Sequence, residues 1–404
     1  MKTDKTSSSC DSPKNGLGLY IHWPFCQSKC PYCDFNSHVR QSIDEQAWEE
    51  ALLQELAYVG QLTKGQPLTS VFFGGGTPSL MPARTVQKLL EALATHWAID
   101  PGLEITLEGN PNSIEVSKYR DFKAAGINRV SVGIQSLRQD SLTFLGRLHN
   151  ADEAKRALEI TSTLFDRSSF DLIYTLPNQT LKEWKQELEE ALTFARGHLS
   201  LYQLIIEPGT AFHTRYQRGD FQLPNEKESA ELYELTRDIV GQQGYETYEV
   251  SNYAQQGHQC RHNTLYWTYG DYVCIGPGAH GRVSLEGKKN AIKNYKAPET
   301  WLEKVKEQGH GQEISDLLTA EDQVIEHLLM GLRLKTGIHK ESFHKMHGVS
   351  LTEVLDPKKV TFLKDLGFLD ESKTHFYVTP SGLLRLNTLT SELVTTLKSP
   401  SRSV

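Results

Sequence analysis

The chain has 404 residues, of which 38% are apolar and 23% charged, proportions that suit a folded protein of more than one domain. Its formal net charge of −7 argues against a dedicated nucleic-acid binder, and no run of about 18 apolar residues reads as an integral membrane segment. Six cysteines make no disulfide framework at this length.

The first 16 residues, MKTDKTSSSCDSPKNG, are polar and lack the apolar stretch of a secretory signal. They read as a disordered tail, and the expected compartment is reducing and cytoplasmic. Six short segments rich in β-branched and aromatic residues follow: LGLYIHW from Leu17, SVFFGGG from Ser70, EITLEGN from Glu104, RVSVGIQS from Arg129, FDLIYTLP from Phe170 and LSLYQLIIEPG from Leu199. Near-continuous apolar runs of this kind suit strands buried on both faces. Amphipathic helical patterns separate them. Ser42 and Glu45 have capping-box spacing ahead of a stripe formed by Trp48, Leu52, Leu56 and Val59. A second helix is expected over 113–125 with Gly126 as its stop, and a third from about Leu181. The alternation predicts an α/β fold, either doubly wound or barrel-like, with its function at the C-terminal ends of the strands. Past about residue 310 the pattern changes to three short helices, a small hairpin around THFYVTPSG and a closing helix. This is a winged-helix-like module, expected to be accessory or a lid.

Cys26, Cys30 and Cys33 follow the first strand in CQSKCPYC, a C-x3-C-x2-C pattern. Thiolates are soft ligands that suit zinc or an iron–sulfur cluster. A zinc site would need a fourth ligand, and with no second CxxC that leaves His22 or His38. A redox pair in CPYC leaves Cys26 without a role. A [4Fe–4S] cluster on three cysteines leaves one iron open to a small chelating ligand. YIHWPFCQSKCPYC resembles the signature of the radical S-adenosylmethionine (SAM) family. That resemblance implies a partial (β/α)6 barrel in which the open iron binds SAM.

It also assigns further residues. Gly75, Gly76 and Thr77, in GGGTP, match the motif that meets the SAM amino group. Glu108, Gln135, Arg147 and Asp171 match SAM contacts, and Tyr20 and Tyr32 flank the cofactor. The residue types fit, because a guanidinium suits a carboxylate while acids and amides suit an ammonium and hydroxyls. GPGAHG, from Gly276, satisfies G-x-G-x-x-G, but no long helix follows, so a dinucleotide site is rejected. The resemblance places this loop beside SAM, with Ala279 and His280 lining it.

From residue 17 onward the chain is similar to the oxygen-independent coproporphyrinogen III oxidase group of that family. The group comprises true oxidases and heme chaperones. The resemblance implies a barrel with a heme-motif extension over 17–305 and a helical and winged domain over 306–404. Oxidases carry a further cysteine two positions past the third ligand, where this chain has Phe35. RHNTLYW contains His262, Asn263, Tyr266 and Trp267, matching the HNxxYW pattern proposed to hold heme in the chaperones. The expected reading is a heme chaperone with a [4Fe–4S] cluster, SAM and heme. His262 is the expected heme ligand, and the partner is an acceptor hemoprotein such as a membrane respiratory enzyme. Cys260 and Cys274 flank this stretch as further thiolate candidates. A radical decarboxylase of coproporphyrinogen III, and a binding protein with a purely structural cluster, are the alternatives.

Overall fold

The computed structural model describes residues 16–397; the expected N-terminal tail, apart from Gly16, lies outside the described residues. Six strands follow one another across a sheet: β1 (Leu17–Trp23), β2 (Pro67–Gly75), β3 (Ala98–Gly109), β4 (Arg129–Gln135), β5 (Arg167–Tyr174) and β6 (His198–Gln203). Every neighbouring pair is parallel. Parallel neighbours need long crossovers, and helices supply them: α1 (Glu45–Leu62), α2 (Ala83–His96), α3 (Ser113–Ala125), α4 (Ala151–Leu164) and α5 (Leu181–Phe194).

The six strands do not close on themselves. A helix, α6 (Glu226–Gln242), leads to β7 (Glu246–Thr247) and β8 (Asn252–Ala254), and β8 pairs antiparallel with β6. The short helix α7 (Arg261–Trp267) then leads to β9 (Asp271–Ile275), which pairs parallel with β1. Three antiparallel strands, β10 (His280–Leu285), β11 (Lys288–Asn294) and β12 (Gln312–Leu317), complete a 12-stranded sheet. β12 lies beyond residue 306 and still belongs to this sheet. The result is a partial α/β barrel.

Strand alternation sorts the side chains. Leu19, Ile21, Val71, Phe73, Leu107, Val132 and Leu172 point outward and pack with Leu52, Leu56, Leu89 and Leu158 of the helices in the main core. Each such burial contributes roughly 1.5–3 kcal/mol. The other strand positions face the concave side and are mostly polar. The predicted stripe on α1 is buried, but its cap is Asp44, whose carboxylate accepts the Ala47 N–H at 3.1 Å. Ser42 lies two residues before that cap, too far out to serve. α3 ends at Gly126, whose φ of 114° closes the helix in a left-handed conformation.

The C-terminal part has its own apolar core, including Leu328, Phe343, Leu363, Phe376 and Leu389. A three-stranded antiparallel sheet, β13 (Ile338–His339), β14 (Leu369–Glu371) and β15 (His375–Val378), forms the wing. Helix α8 (Ala320–Gly331) faces the barrel: Glu326 pairs with Arg282 at 2.8 Å and accepts the Tyr269 hydroxyl at 2.9 Å.

Candidate functional site

The loop bearing Cys26, Cys30 and Cys33 crosses the C-terminal ends of the strands. Backbone bonds seat it: Gly76 N–H donates to Trp23 O at 2.7 Å, Thr77 N–H to Phe25 O at 2.9 Å, and Phe212 N–H to Pro31 O at 2.8 Å. Glycine is required where the loop crosses β2. A Cβ on Gly75 would lie 2.7 Å from the His22 ring, and one on Gly76 2.8 Å from the Pro24 carbonyl carbon. The side chain of Asn36 locks the far end by donating to Pro277 O and Lys296 O, both at 3.0 Å. The three cysteines are free and half-buried. Burial pushes the Cys26 and Cys33 thiols up, while hydrogen bonds to Cys26 from Thr77 and to Cys33 from the Phe35 backbone and Ser37 pull the other way.

A hydrogen-bonded chain runs from one cysteine to another. The Thr77 hydroxyl donates to Cys26 Sγ at 3.2 Å, and Asn110 Nδ2 donates to Thr77 Oγ1 at 3.2 Å. Arg147 Nη2 donates to Asn110 Oδ1 at 2.5 Å, and Arg147 Nη1 donates to Cys30 Sγ at 3.3 Å. Arg147 also reaches Gly133 O at 2.8 Å and the Tyr32 hydroxyl at 3.5 Å. Its Nε is buried without a hydrogen-bond partner among the described residues. No motif in the sequence marks Asn110 or Asn36, although Asn110 closes the segment EITLEGN and Asn36 follows Phe35.

The other expected residues gather below this loop on the concave face. Gln135 ends β4 with φ at 68°, a left-handed backbone that few non-glycine residues adopt. A Cβ on Gly133 would be 2.9 Å from Gln135 Nε2 and 3.6 Å from Arg147 Nη2, so these groups converge. Burial, with the charge of Asp171 behind it, pushes Glu108 up to about 8. Burial pushes Asp171 up to about 6 against hydrogen bonds from Ser200 and Ser131 and the charge of Arg129. Tyr20 packs 6.3 Å from Phe72 and shares a hydrogen bond of 3.2 Å with His22. Ala279 is buried and His280 exposed.

This donor set fits the groups the pattern implied. Three free thiols on one seated loop suit iron, the unused Arg147 Nε suits a carboxylate, and the half-buried acids suit an ammonium or hydroxyls. Among the described residues no three His, Cys, Asp or Glu side chains converge as ligands of a single metal ion. A cluster that takes each thiolate on a different iron spreads its ligands further apart.

His262 lies deeper in the barrel. Gly18 and Ser70, near the starts of β1 and β2, border it, and its ring stacks on Phe72 at 5.2 Å and on Tyr20 at 6.4 Å. Nδ1 is hydrogen-bonded to Ser70 Oγ at 2.8 Å and Nε2 to the Tyr266 hydroxyl, and the residue is 1% exposed. Trp267 points away, under the Arg333 guanidinium at 4.6 Å. Helix α7 thus plugs the floor of the barrel. Beside it, Glu104 pairs with Arg167 at 3.0 Å and accepts the Arg261 N–H at 2.8 Å and the Cys260 thiol at 3.5 Å. Burial pushes the Cys260 thiol up to about 12 and that of Cys274 well above its ordinary value, and both side chains are enclosed.

A six-strand parallel half-barrel with a cysteine loop across its mouth defines a class. The model of the radical SAM superfamily matches residues 20–191, and that of the HemN C-terminal domain matches residues 318–385. The chain belongs to the radical SAM superfamily. Relatives that span most of it include the heme chaperone HemW of Haemophilus influenzae, 37% identical over 382 residues, which are 92% of this chain and 96% of that protein. HemW of Escherichia coli is 35% identical over 376 residues, 92% and 97% of the two chains. The bovine "Radical S-adenosyl methionine domain-containing protein 1, mitochondrial" is 36% identical over 387 residues, 94% and 88%. Among solved structures, the Escherichia coli coproporphyrinogen III oxidase HemN superposes with a TM-score of 0.79 over 96% of this chain and 92% of its own. At 21% identity that likeness speaks for the fold alone.

Proposed function

We propose that this protein is a heme chaperone that takes up heme and passes it to an acceptor hemoprotein, a membrane respiratory enzyme being the class expected. The observation that carries the reading is identity of 35–37% to two proteins named heme chaperone HemW across 92% of the chain. Phe35 supports it, standing where the oxidases of the resemblance carry another cysteine. Among the described residues no helix is long and apolar enough to cross a membrane.

Cys26, Cys30 and Cys33 would hold the [4Fe–4S] cluster. Gly75, Gly76 and Thr77 would meet the amino end of SAM, Arg147 its carboxylate, and Glu108, Gln135 and Asp171 its ammonium and hydroxyls, with Tyr20 and Tyr32 alongside. When bound, cluster and SAM supply one-electron chemistry. The chain's own contribution is to hold and shield. Thr77 and Arg147 donate hydrogen bonds to the Cys26 and Cys30 sulfurs, while the loop seated by Gly76, Thr77 and Phe212 covers the mouth. His262 can serve as a heme ligand only when a ring nitrogen leaves Ser70 or Tyr266.

Anaerobic titration of the reconstituted protein with heme, followed by absorbance, tests the reading beside product analysis with coproporphyrinogen III, SAM and a reductant. Saturation near one heme per chain without decarboxylated product is expected. Decarboxylation without specific heme binding would replace the chaperone by the oxidase.

A further inference from the structure

One face at the rim of the mouth combines three features. Phe35 and Val39 are 60% and 48% exposed, large apolar groups at either end of the segment that leaves the cysteine loop. Asn36 ties this segment to Pro277 and Lys296, and a Cβ on Gly278 would lie 2.4 Å from Asn36 Nδ2, so it abuts the hairpin that starts at His280. His280 is exposed and, among the described residues, makes no hydrogen bond and no ring contact. In the hairpin it stands opposite Lys293. Lys293 is paired with Glu313 at 3.5 Å and Arg40 with Glu299 at 2.7 Å, whereas the exposed Lys296 has no ion-pair partner among the described residues.

An imidazole with a free nitrogen, apolar side chains that can lie on a planar ring, and a cation without a counter-ion are complementary to an iron porphyrin with its two propionates. We propose that this face docks heme, with His280 as an axial ligand of its iron, Phe35 and Val39 against the macrocycle and Lys296 at a propionate. The coordinate bond forms as the imidazole replaces an axial water. The inference rests on the heme-chaperone reading and names its binding face. His262 must first give up an internal hydrogen bond, whereas His280 is available as it stands.

The test is anaerobic titration of the full chain with heme and, separately, with iron-free protoporphyrin IX. It uses wild type, His280→Ala, His262→Ala and Lys296→Glu. His280 and Lys296 are exposed, so those two variants should fold. We expect His280→Ala to weaken heme at least about tenfold and to remove the imidazole-ligated absorption bands, leaving protoporphyrin binding unchanged. Lys296→Glu should weaken both ligands, and His262→Ala should keep the wild-type bands. Wild-type affinity and bands in His280→Ala would overturn the inference while leaving the chaperone reading intact. A wild-type protein that binds no heme would overturn both.

Discussion

The mouth and the floor of the barrel are built from the same kinds of residue, and they differ in what those residues have left to give. At the floor, both ring nitrogens of His198 and of His262 are taken by protein partners, His198 by Ser169 at 2.6 Å and Tyr248 at 2.9 Å, and Glu104 is held by Arg167, Arg261 and Cys260, although Arg167 Nε has no hydrogen-bond partner among the described residues. At the mouth, three cysteines are half-buried and free, and Gln135 has a left-handed backbone. A buried polar group with all its bonds made holds the fold together. Free thiols gathered on one seated loop are placed for a ligand.

Substitutions at the two ends should therefore separate stability from cofactor retention. The largest stability loss belongs to the floor. Glu104→Ala leaves the Arg167 guanidinium and the Arg261 N–H without their acceptor, and should cost about 3–5 kcal/mol in denaturant unfolding, with iron per folded chain unchanged. The pH dependence of stability sharpens the same contrast. Burial, then the charge of Arg129, holds the His262 imidazole down to about 3 from its ordinary 6.5. Because the unfolded ring takes up a proton first, the stability due to this depressed pKa is fully present above pH 6.5 and is lost as pH falls toward 3. His262→Gln should reduce the acid-side slope by about 1.4 kcal/mol per pH unit, measured by unfolding between pH 6 and 4. At the mouth, Asn110→Ala interrupts the chain between Cys26 and Cys30. It should cost only about 1 kcal/mol in stability, yet speed the loss of iron to a chelator severalfold. Equal iron release from Asn110→Ala and wild type would show that the cysteines need no such support.

Much of this was legible in the sequence. The six strands announced themselves as β-branched and aromatic runs, and the stripe on α1 is buried as its spacing predicted. The cap of that helix was misplaced because Ser, Asp and Glu fall close together there and spacing alone cannot choose among them. The cysteine triad stood out because its three residues lie on one short loop. The two asparagines that hold that loop did not, since their meaning depends on partners far along the chain: Thr77 is 33 residues from Asn110, and Pro277 is 241 residues from Asn36. His262 shows the reverse case. A local motif marks it as a ligand, while Ser70, 192 residues away, occupies one of its nitrogens.

The most direct test of the division between mouth and floor compares cysteines at the two places. Iron and sulfide per chain would be measured after anaerobic reconstitution of wild type and of single alanine variants at Cys26, Cys30, Cys33, Cys260 and Cys274. A full cluster in wild type, Cys260→Ala and Cys274→Ala, with loss in each of the other three, is the predicted result. Retention of the cluster in any of those three, or its loss in Cys260→Ala, would contradict the account.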